Sequence, residues 1–202
     1  MKLPRWLVAT LLSVSVLLVI YTGGRVLWLK WQEYQRVEGL RRIIETEDYT
    51  ALGPSPDYVQ KFGGAAAVPV LIDALENKHP EIRNRCTALL GMLGPDAKAA
   101  VPALIATMND RDVLVRIHAA EALWLIDRNT EAKSRVMSWL EDEHDLSLPL
   151  IIACLEAMGP DAREAVPALV HFLNHENPAV RMQAAKTIVK VDREAASAAG
   201  VR

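Results

Sequence analysis

The longest apolar run of the chain lies near its start. No charged residue occurs from Trp6 to Gly24, and the nineteen residues of this run are apolar on every side of a helix. At about 1.5 Å per residue, a helix of this length matches the thickness of the hydrocarbon core of a bilayer. The pattern therefore predicts a transmembrane anchor over residues 6–24, in an N-terminal unit of residues 1–25.

Aromatic residues border this run, as is typical of membrane interfaces. Trp6 stands at one end, and Trp28 and Trp31 follow the other. A cleaved signal peptide is the alternative, because Thr22-Gly23-Gly24 offers small residues to a peptidase. We favour the anchor, since the run is long for the core of a signal peptide.

The basic residues around the run give a preferred orientation. Lys2 and Arg5 precede it, and Arg25, Lys30 and Arg36 follow it, so the charges on the two sides are nearly balanced. A short basic segment before a first span usually stays inside the cell. We therefore expect a single-pass membrane protein whose C-terminal domain lies outside the cytoplasm.

After position 57 the apolar pattern changes to one of helical period, and it recurs. Gly94–Leu104 reads GPDAKAAVPAL and Gly159–Leu169 reads GPDAREAVPAL, while Ala65–Leu75 gives AAAVPVLIDAL. The Val-Pro pairs begin at residues 68, 101 and 166, which is a spacing of one and then two repeats of about 33 residues. A fourth copy is expected near residue 134, where SRVMSWLEDEHD keeps the apolar positions and lacks the proline.

Each copy reads as two helices separated by a tight turn. In the second copy, helix A is VPALIATMND and helix B is DVLVRIHAAEALWLID. Gly94 and Gly159 end their B helices, and we expect left-handed (αL) caps there, since a proline follows each one. Short polar side chains that can accept free backbone N–H groups are expected as N-caps where the B helices begin, at His79, Asp112, Asp145 and Asn177.

The combined pattern VPxLIxxL…(D/N)xxVRxxAAxAL, closed by LGPDAxxA, resembles the short HEAT-like repeats of the phycobilisome-lyase type over residues 57–192. The resemblance implies an all-α fold, an α-solenoid of about four two-helix repeats whose B helices line a concave face. It does not imply lyase chemistry, because such repeats occur in many unrelated proteins. Residues 57–202 would form this domain, and residues 26–56 a helical connector that could include a degenerate half-repeat.

The composition argues against nucleic-acid binding, disulfide formation and metal binding. Residues 57–202 hold sixteen Lys and Arg against twenty Asp and Glu, a poor balance for binding nucleic acid. Cys86 and Cys154 fall two repeats apart, too far for a disulfide. His171 and His175 have the spacing of zinc ligands but lack the other residues of such a site, and the positions equivalent to His171 in other repeats hold residues typical of a solvent-facing site, so we expect no zinc there. We predict no catalytic, cofactor or metal site.

The B-helix surface is the best candidate for function. On the second helix B, Leu114, Ile117, Glu121 and Trp124 are expected to share one stripe, with Trp124 either anchoring a partner or packing between repeats. Equivalent positions in the other repeats extend the stripe. The predicted partner-binding groove comprises Asn84, Leu114, Ile117, Glu121, Trp124, Leu150, Met182 and Lys186.

The sequence thus predicts a non-catalytic, membrane-tethered scaffold that binds a protein partner, with no cofactor. Self-association is a further expectation, since four repeats are few for a solenoid. One alternative is an enzyme or enzyme subunit of the bilin-lyase kind. Another is a DNA-associated helical-repeat protein of the alkylpurine-glycosylase type, which the missing basic groove argues against.

Overall fold

The computed structural model describes residues 5–46, 52, 61–142 and 147–201, with the backbone alone for residues 5–21 and Asp142. Helices and turns account for these ranges, and no strand occurs in them. After the long first helix, short and longer helices alternate. The helices are α1 (Arg5–Glu45), α2 (Val68–Ala74), α3 (Pro80–Leu93), α4 (Val101–Thr107), α5 (Val113–Asp127), α6 (Thr130–Asp142), α7 (Leu148–Met158), α8 (Val166–Phe172), α9 (Pro178–Val191) and α10 (Arg193–Ala198).

The helices from α2 to α9 form four consecutive A–B pairs, here called repeats one to four. The A helices are α2, α4, α6 and α8, and the B helices are α3, α5, α7 and α9. Each B helix packs on its own A helix, and consecutive B helices pack on one another. One apolar core runs through the whole stack, from Leu40 on α1 to Ala196 on α10. The predicted all-α solenoid of two-helix repeats is confirmed.

A 3-10 segment joins consecutive repeats at two places, Gly94–Ala100 and Gly159–Ala165. Gly94 has φ 55° and ψ −134°, and Gly159 has φ 60° and ψ −137°. The expected αL caps are therefore wrong in detail, because αL requires ψ near +47°. The observed region is essentially accessible to glycine alone. Pro95 and Pro160 are the second residues of the 3-10 segments.

The predicted N-caps differ in how they hold their helices. Asp112 accepts hydrogen bonds from the backbone N–H groups of Leu114 and Val115, at 2.9 and 3.2 Å. Asn177 accepts one from the N–H of Ala179 at 2.9 Å. His79 occupies the N-cap position of α3 without a side-chain capping bond. The fourth predicted cap, Asp145, lies outside the described residues.

Repeat three replaces the usual kinked entry with one longer helix. Residues 130–142 form α6 without the 3-10 segment, consistent with the missing proline. The turn before it uses Arg128 at φ 57°, in the αL region, and the Asn129 side chain then accepts from the N–H of Ala132 at 3.0 Å. Val136 is fully buried, and Trp139 and Leu140 are 8% exposed. The degenerate copy therefore fills the same core layer as the regular ones.

Helix α1 is a single helix of 41 residues, about 60 Å long. Its last turns belong to the repeat domain, because Leu40 is fully buried and Val37, Ile43 and Ile44 pack against the core. The proposed anchor forms the N-terminal half of this helix, and its side chains as far as Tyr21 lie outside the described residues. Residues 26–45 of the expected connector are helical.

Judged by length and composition alone, one segment of the fully described residues could cross a membrane, Pro80–Thr107, with a mean hydropathy of 1.3. This segment comprises α3, the 3-10 segment and α4. Gly94 breaks its helical path. Its apolar side chains Ile82, Leu90 and Leu104 are fully buried in the core. We therefore assign it to the core of the solenoid.

Candidate protein-binding face

The exposed side of the B helices is here called the B-helix face. Its most exposed apolar side chains are Met92 on α3, Leu114 and Leu125 on α5, and Met182 on α9, with exposed fractions of 40, 44, 42 and 70%. On α7, Leu150 is half-buried beside the small residues Ala153 and Ala157. The surface of the face is therefore uneven, because large apolar side chains lie beside alanines.

Two of the predicted groove residues do not reach this face. Ile117 is 1% exposed and Trp124 is 4% exposed, so both pack between helices. The Arg128 guanidinium covers the Trp124 ring at 5.1 Å from its centroid. The Trp124 Nε1 is buried and has no hydrogen-bond partner among the described residues. The alternative reading of Trp124, as a packing residue, is the one that the structure supports.

The exposed stripe of α5 is rotated by about 50° around the helix from the predicted one. It comprises Leu114, His118, Glu121 and Leu125, of which the sequence stripe contained the first and third. Leu125 lies three turns after Leu114, whereas Trp124 points about 100° away from Leu125 around the helix. The close contact of α5 with α3 fixes this setting, because a Cβ added to Gly91 would lie 3.1 Å from Ala122 Cα.

The remaining predicted groove residues lie on B helices, in different environments. The half-buried Asn84 side chain hydrogen-bonds His118 of the next repeat. Leu150 is half-buried and Met182 is strongly exposed. Lys186 forms an ion pair with Glu156 of α7, with Nζ and Oε2 3.1 Å apart. These contacts join neighbouring B helices and leave the outer parts of the side chains accessible.

Glu121 stands near the centre of the face. Burial raises the pKa of its carboxyl group above the ordinary value. The carboxylate has no hydrogen bond or ion pair with any residue in the described ranges. Burial also lowers the pKa of His118, one turn before it on the same stripe. A partly desolvated acid in an apolar surround is suited to contact a cationic or hydrogen-bonding group of a partner.

Cys154 lies close to Glu121 and is buried, as is Cys86. Burial raises the pKa of the Cys86 thiol to about 12, and burial together with the charge of Glu121 raises that of Cys154. Because the thiolate is the reactive form, neither group is suited to nucleophilic chemistry. Within the described ranges no cluster of three His, Cys, Asp or Glu residues could hold a metal ion.

The recurring arginines hold the turns between the A and B helices. Arg83 donates from Nη1 to the carbonyl oxygens of Asn77 and Lys78, and Arg181 does the same to those of His175 and Glu176. Arg116 donates to the carbonyl oxygen of Asp110. Each guanidinium thus satisfies carbonyl groups in the turn that precedes its own helix. This arrangement is structural and leaves no arginine ladder on the B-helix face.

Comparison with protein families decides the identity of this architecture. The family model for HEAT repeats matches residues 68–148 and 150–199, more than half of the chain. The chain is a HEAT-repeat protein. A search of curated proteins finds no match to it. Its HEAT repeats coincide with repeats one to four, so the helix pairs that form the B-helix face are the family's own units.

The HEAT-repeat protein is also similar in fold to a solved structure. The crystal structure of an engineered protein, a target of the Northeast Structural Genomics Consortium, superposes with a TM-score of 0.54 at 18% sequence identity. The match covers 83% of this chain and 80% of the other. At this level of identity the similarity shows the fold alone.

Proposed function

We propose that the HEAT-repeat protein is a non-catalytic adaptor, tethered to a membrane through residues 6–24, whose B-helix face binds a protein partner. HEAT repeats generally mediate protein–protein interactions. The observation that carries the proposal is the distribution of exposed apolar side chains. Beyond α1, four of the five large ones in the described residues lie on B helices, and only Val170 lies on an A helix.

The face has the composition of a recognition surface. Leu114 and Leu125 flank the half-buried Glu121 on one helix, and the alanines of α7 leave space beside them. Apolar anchors around a desolvated polar group are typical of the energetic centre of protein interfaces. An amphipathic helix or an extended peptide fits such a surface.

Site-specific photo-crosslinking tests the proposed face. A photoreactive residue at Leu114, Leu125 or Met182 is expected to crosslink one common partner, whereas the same residue at Val170 is not. The matched variants Leu125→Lys and Val170→Lys then test affinity, because both place a charge at an exposed apolar site. Leu125→Lys should weaken binding at least about tenfold, with an unchanged circular dichroism spectrum. Equal effects of the two variants would contradict the assignment of the face.

The membrane tether rests on the uncharged run of residues 6–24 and on its continuation as one helix through Glu45. We propose that the repeat domain lies outside the cytoplasm, from the basic residues before the run. The test is alkaline extraction of membranes that contain a C-terminally tagged full chain, followed by protease treatment of intact spheroplasts. Retention in the pellet with a protease-sensitive tag is expected. A soluble, shortened product would show cleavage near Gly24 instead.

The phycobilisome-lyase type of repeat stays a prediction from the sequence pattern, and so does the alternative of a bilin-lyase-like enzyme. The proposed adaptor is expected to take up no bilin. Absorption spectra of the purified chain after incubation with a free bilin check this. A stoichiometric visible absorbance band on the protein would favour the enzyme alternative.

A further inference from the structure

A crevice of ≈ 340 Å³ separates α1 from the beginning of the repeat domain. Val26 and Leu29 line its end nearer to the anchor, and Lys30, Glu33 and Arg36 line the part that continues along the helix. Gly63, in the turn before repeat one, forms the opposite wall. This volume lies at the lower end of the range for small-ligand sites.

The crevice lies where α1 separates from the repeat domain. Gly63 has φ 98°, and a Cβ placed on it would lie 3.2 Å from Val37 Cγ2 and 3.7 Å from the Glu33 carbonyl oxygen. From Val37 onwards the same side of α1 packs into the core, where Leu40 is fully buried. Towards the N-terminus, that side of the helix faces the open crevice.

The N-terminal end of the crevice coincides with a collar of exposed apolar residues. The collar comprises Val26, Leu27, Trp28, Leu29, Trp31 and Tyr34, each at least 50% exposed. These residues point to all sides of the helix, so one partner helix could not cover them. An apolar helix surface with aromatic residues next to a predicted span is typical of the lipid–water interface.

The charges of the crevice favour an anion. Lys30 and Arg36 contribute two positive charges against the single negative charge of Glu33. All three side chains are exposed and make no hydrogen bond or ion pair with any described residue. At the height of the collar, two unpaired cations would stand beside the phosphate groups of lipids, to which basic residues near a membrane surface are attracted.

We propose that this crevice binds the headgroup of an anionic phospholipid from the bilayer that holds α1. The proposal rests on the membrane tether of the proposed function. The apolar Val26 and Leu29 would contact the upper acyl chains, and Lys30 and Arg36 the phosphate. Because α1 continues into the buried contacts of Leu40, a bound lipid would contact both the anchor and the base of the HEAT repeats.

The test uses the full chain reconstituted into vesicles of phosphatidylcholine with a minority of phosphatidylglycerol. Spin-labelled phosphatidylglycerol and spin-labelled phosphatidylcholine report the protein-bound fraction of each lipid by electron paramagnetic resonance. We expect phosphatidylglycerol to be preferred on the order of fivefold. The double variant Lys30→Gln/Arg36→Gln should remove most of this preference. The matched control Arg41→Gln/Arg42→Gln, which removes two exposed charges farther along the same helix, should retain it.

The outcomes separate the two proposals. A chain that alkaline washing removes from vesicles of every composition would contradict the tether itself. A chain that stays bound, but prefers phosphatidylglycerol equally in the wild type and both variants, would overturn the headgroup site. Equal loss of preference in both double variants would show diffuse attraction to the surface and would also overturn it. A preference for spin-labelled phosphatidylethanolamine over phosphatidylglycerol would overturn the anionic assignment.

Discussion

Arg83 and Asp110 form a two-pronged ion pair between repeats one and two. Nε donates to Oδ2 and Nη2 donates to Oδ1, each at 2.7 Å. The Arg83 side chain is 5% exposed and that of Asp110 is 11% exposed. The remaining guanidinium nitrogen donates to turn carbonyls, so this one side chain ties the turn of its own repeat to the turn of the next.

Removing one partner of this ion pair should lower the stability of the fold. Asp110→Ala would leave the Arg83 charge buried without its carboxylate, and we expect the free energy of unfolding to fall by about 3 kcal/mol. Denaturant titration of the full chain in detergent, followed by circular dichroism, measures the change. Arg181→Met is the matched control, because Arg181 is exposed and bonds only turn carbonyls. Its effect should stay below about 1 kcal/mol, and similar losses in both variants would contradict the special role of the pair.

The same pair should make the protein sensitive to acid. Burial opposes ionisation of Asp110, but hydrogen bonds from Arg83 and the Asp112 backbone outweigh it, so the pKa of Asp110 lies below its ordinary value. The pair therefore stabilises the fold fully above the unfolded-state pKa of about 3.9, and this contribution is lost as the pH falls through the lower folded-state value. Stability curves of the wild type and Asp110→Asn should differ at pH 7 and converge in strong acid. A constant difference at all pH values would contradict the linkage.

The conformation of Gly159 can be tested by substitution, because a Cβ at this position would meet no atom within 4 Å. Any loss in Gly159→Ala is therefore a backbone effect, and about 1–3 kcal/mol is expected. The variant Gly159→Asn distinguishes the observed backbone conformation from a left-handed (αL) cap. Asparagine tolerates αL but not φ 60° with ψ −137°, so it should destabilise as much as alanine. An asparagine variant as stable as the wild type would favour the αL cap. The denaturation midpoints of the wild type and the two variants measure these differences in stability.

The ionised Glu121 carboxylate is expected to lower the stability of the protein. Because burial raises its folded-state pKa, its ionisation costs stability above that pKa, and the cost disappears as the pH falls below the unfolded-state value of about 4.3. Glu121→Gln should therefore raise the thermal midpoint at pH 7 and leave it nearly unchanged at pH 4. The exposed Glu141→Gln is the control and should change stability by no more than about 0.5 kcal/mol. A Glu121→Gln variant that is less stable at pH 7 would show that the carboxylate has a stabilising partner.

The two thiols should be unreactive until the protein unfolds. Cys86 and Cys154 are buried and their pKa values are raised, so both access and thiolate formation are unfavourable. A chromogenic disulfide reagent at pH 8 should detect far less than one thiol per native chain and both thiols in denaturant. Rapid release of one equivalent from the native protein would place a cysteine on an accessible surface.

The local structure of the repeats could be predicted from particular residues. Val-Pro pairs mark where the A helices begin, and the glycines at positions 94 and 159 mark where two B helices end. Glycine at such a position indicates that φ is positive, but it does not specify ψ, since glycine can adopt several regions. The predicted αL geometry failed for this reason.

The exposed side of α5 was less predictable than its ends. Its sequence is apolar almost all round, with Leu114 and Leu125 on one side and Ile117 and Trp124 on another. A helix that packs against its own A helix and two neighbouring B helices needs apolar residues on most sides, so hydrophobicity alone does not identify the outer stripe. The rotational setting follows from the alanine contact with Gly91, which depends on how two neighbouring repeats pack and not on the sequence of α5 alone.

The B-helix face presents different side chains in each repeat. At one equivalent position, repeats one, two and four carry Ala88, Glu121 and Lys186. The exposed side chains therefore change along the stack, from the apolar Met92 near α1 to the basic Lys186 and Lys190 on α9. A partner lying across this face could not be turned end for end without losing its matches. If α1 is anchored in a bilayer as proposed, recognition would also have a polarity relative to that bilayer, with one end of the partner facing the lipid and the other facing away.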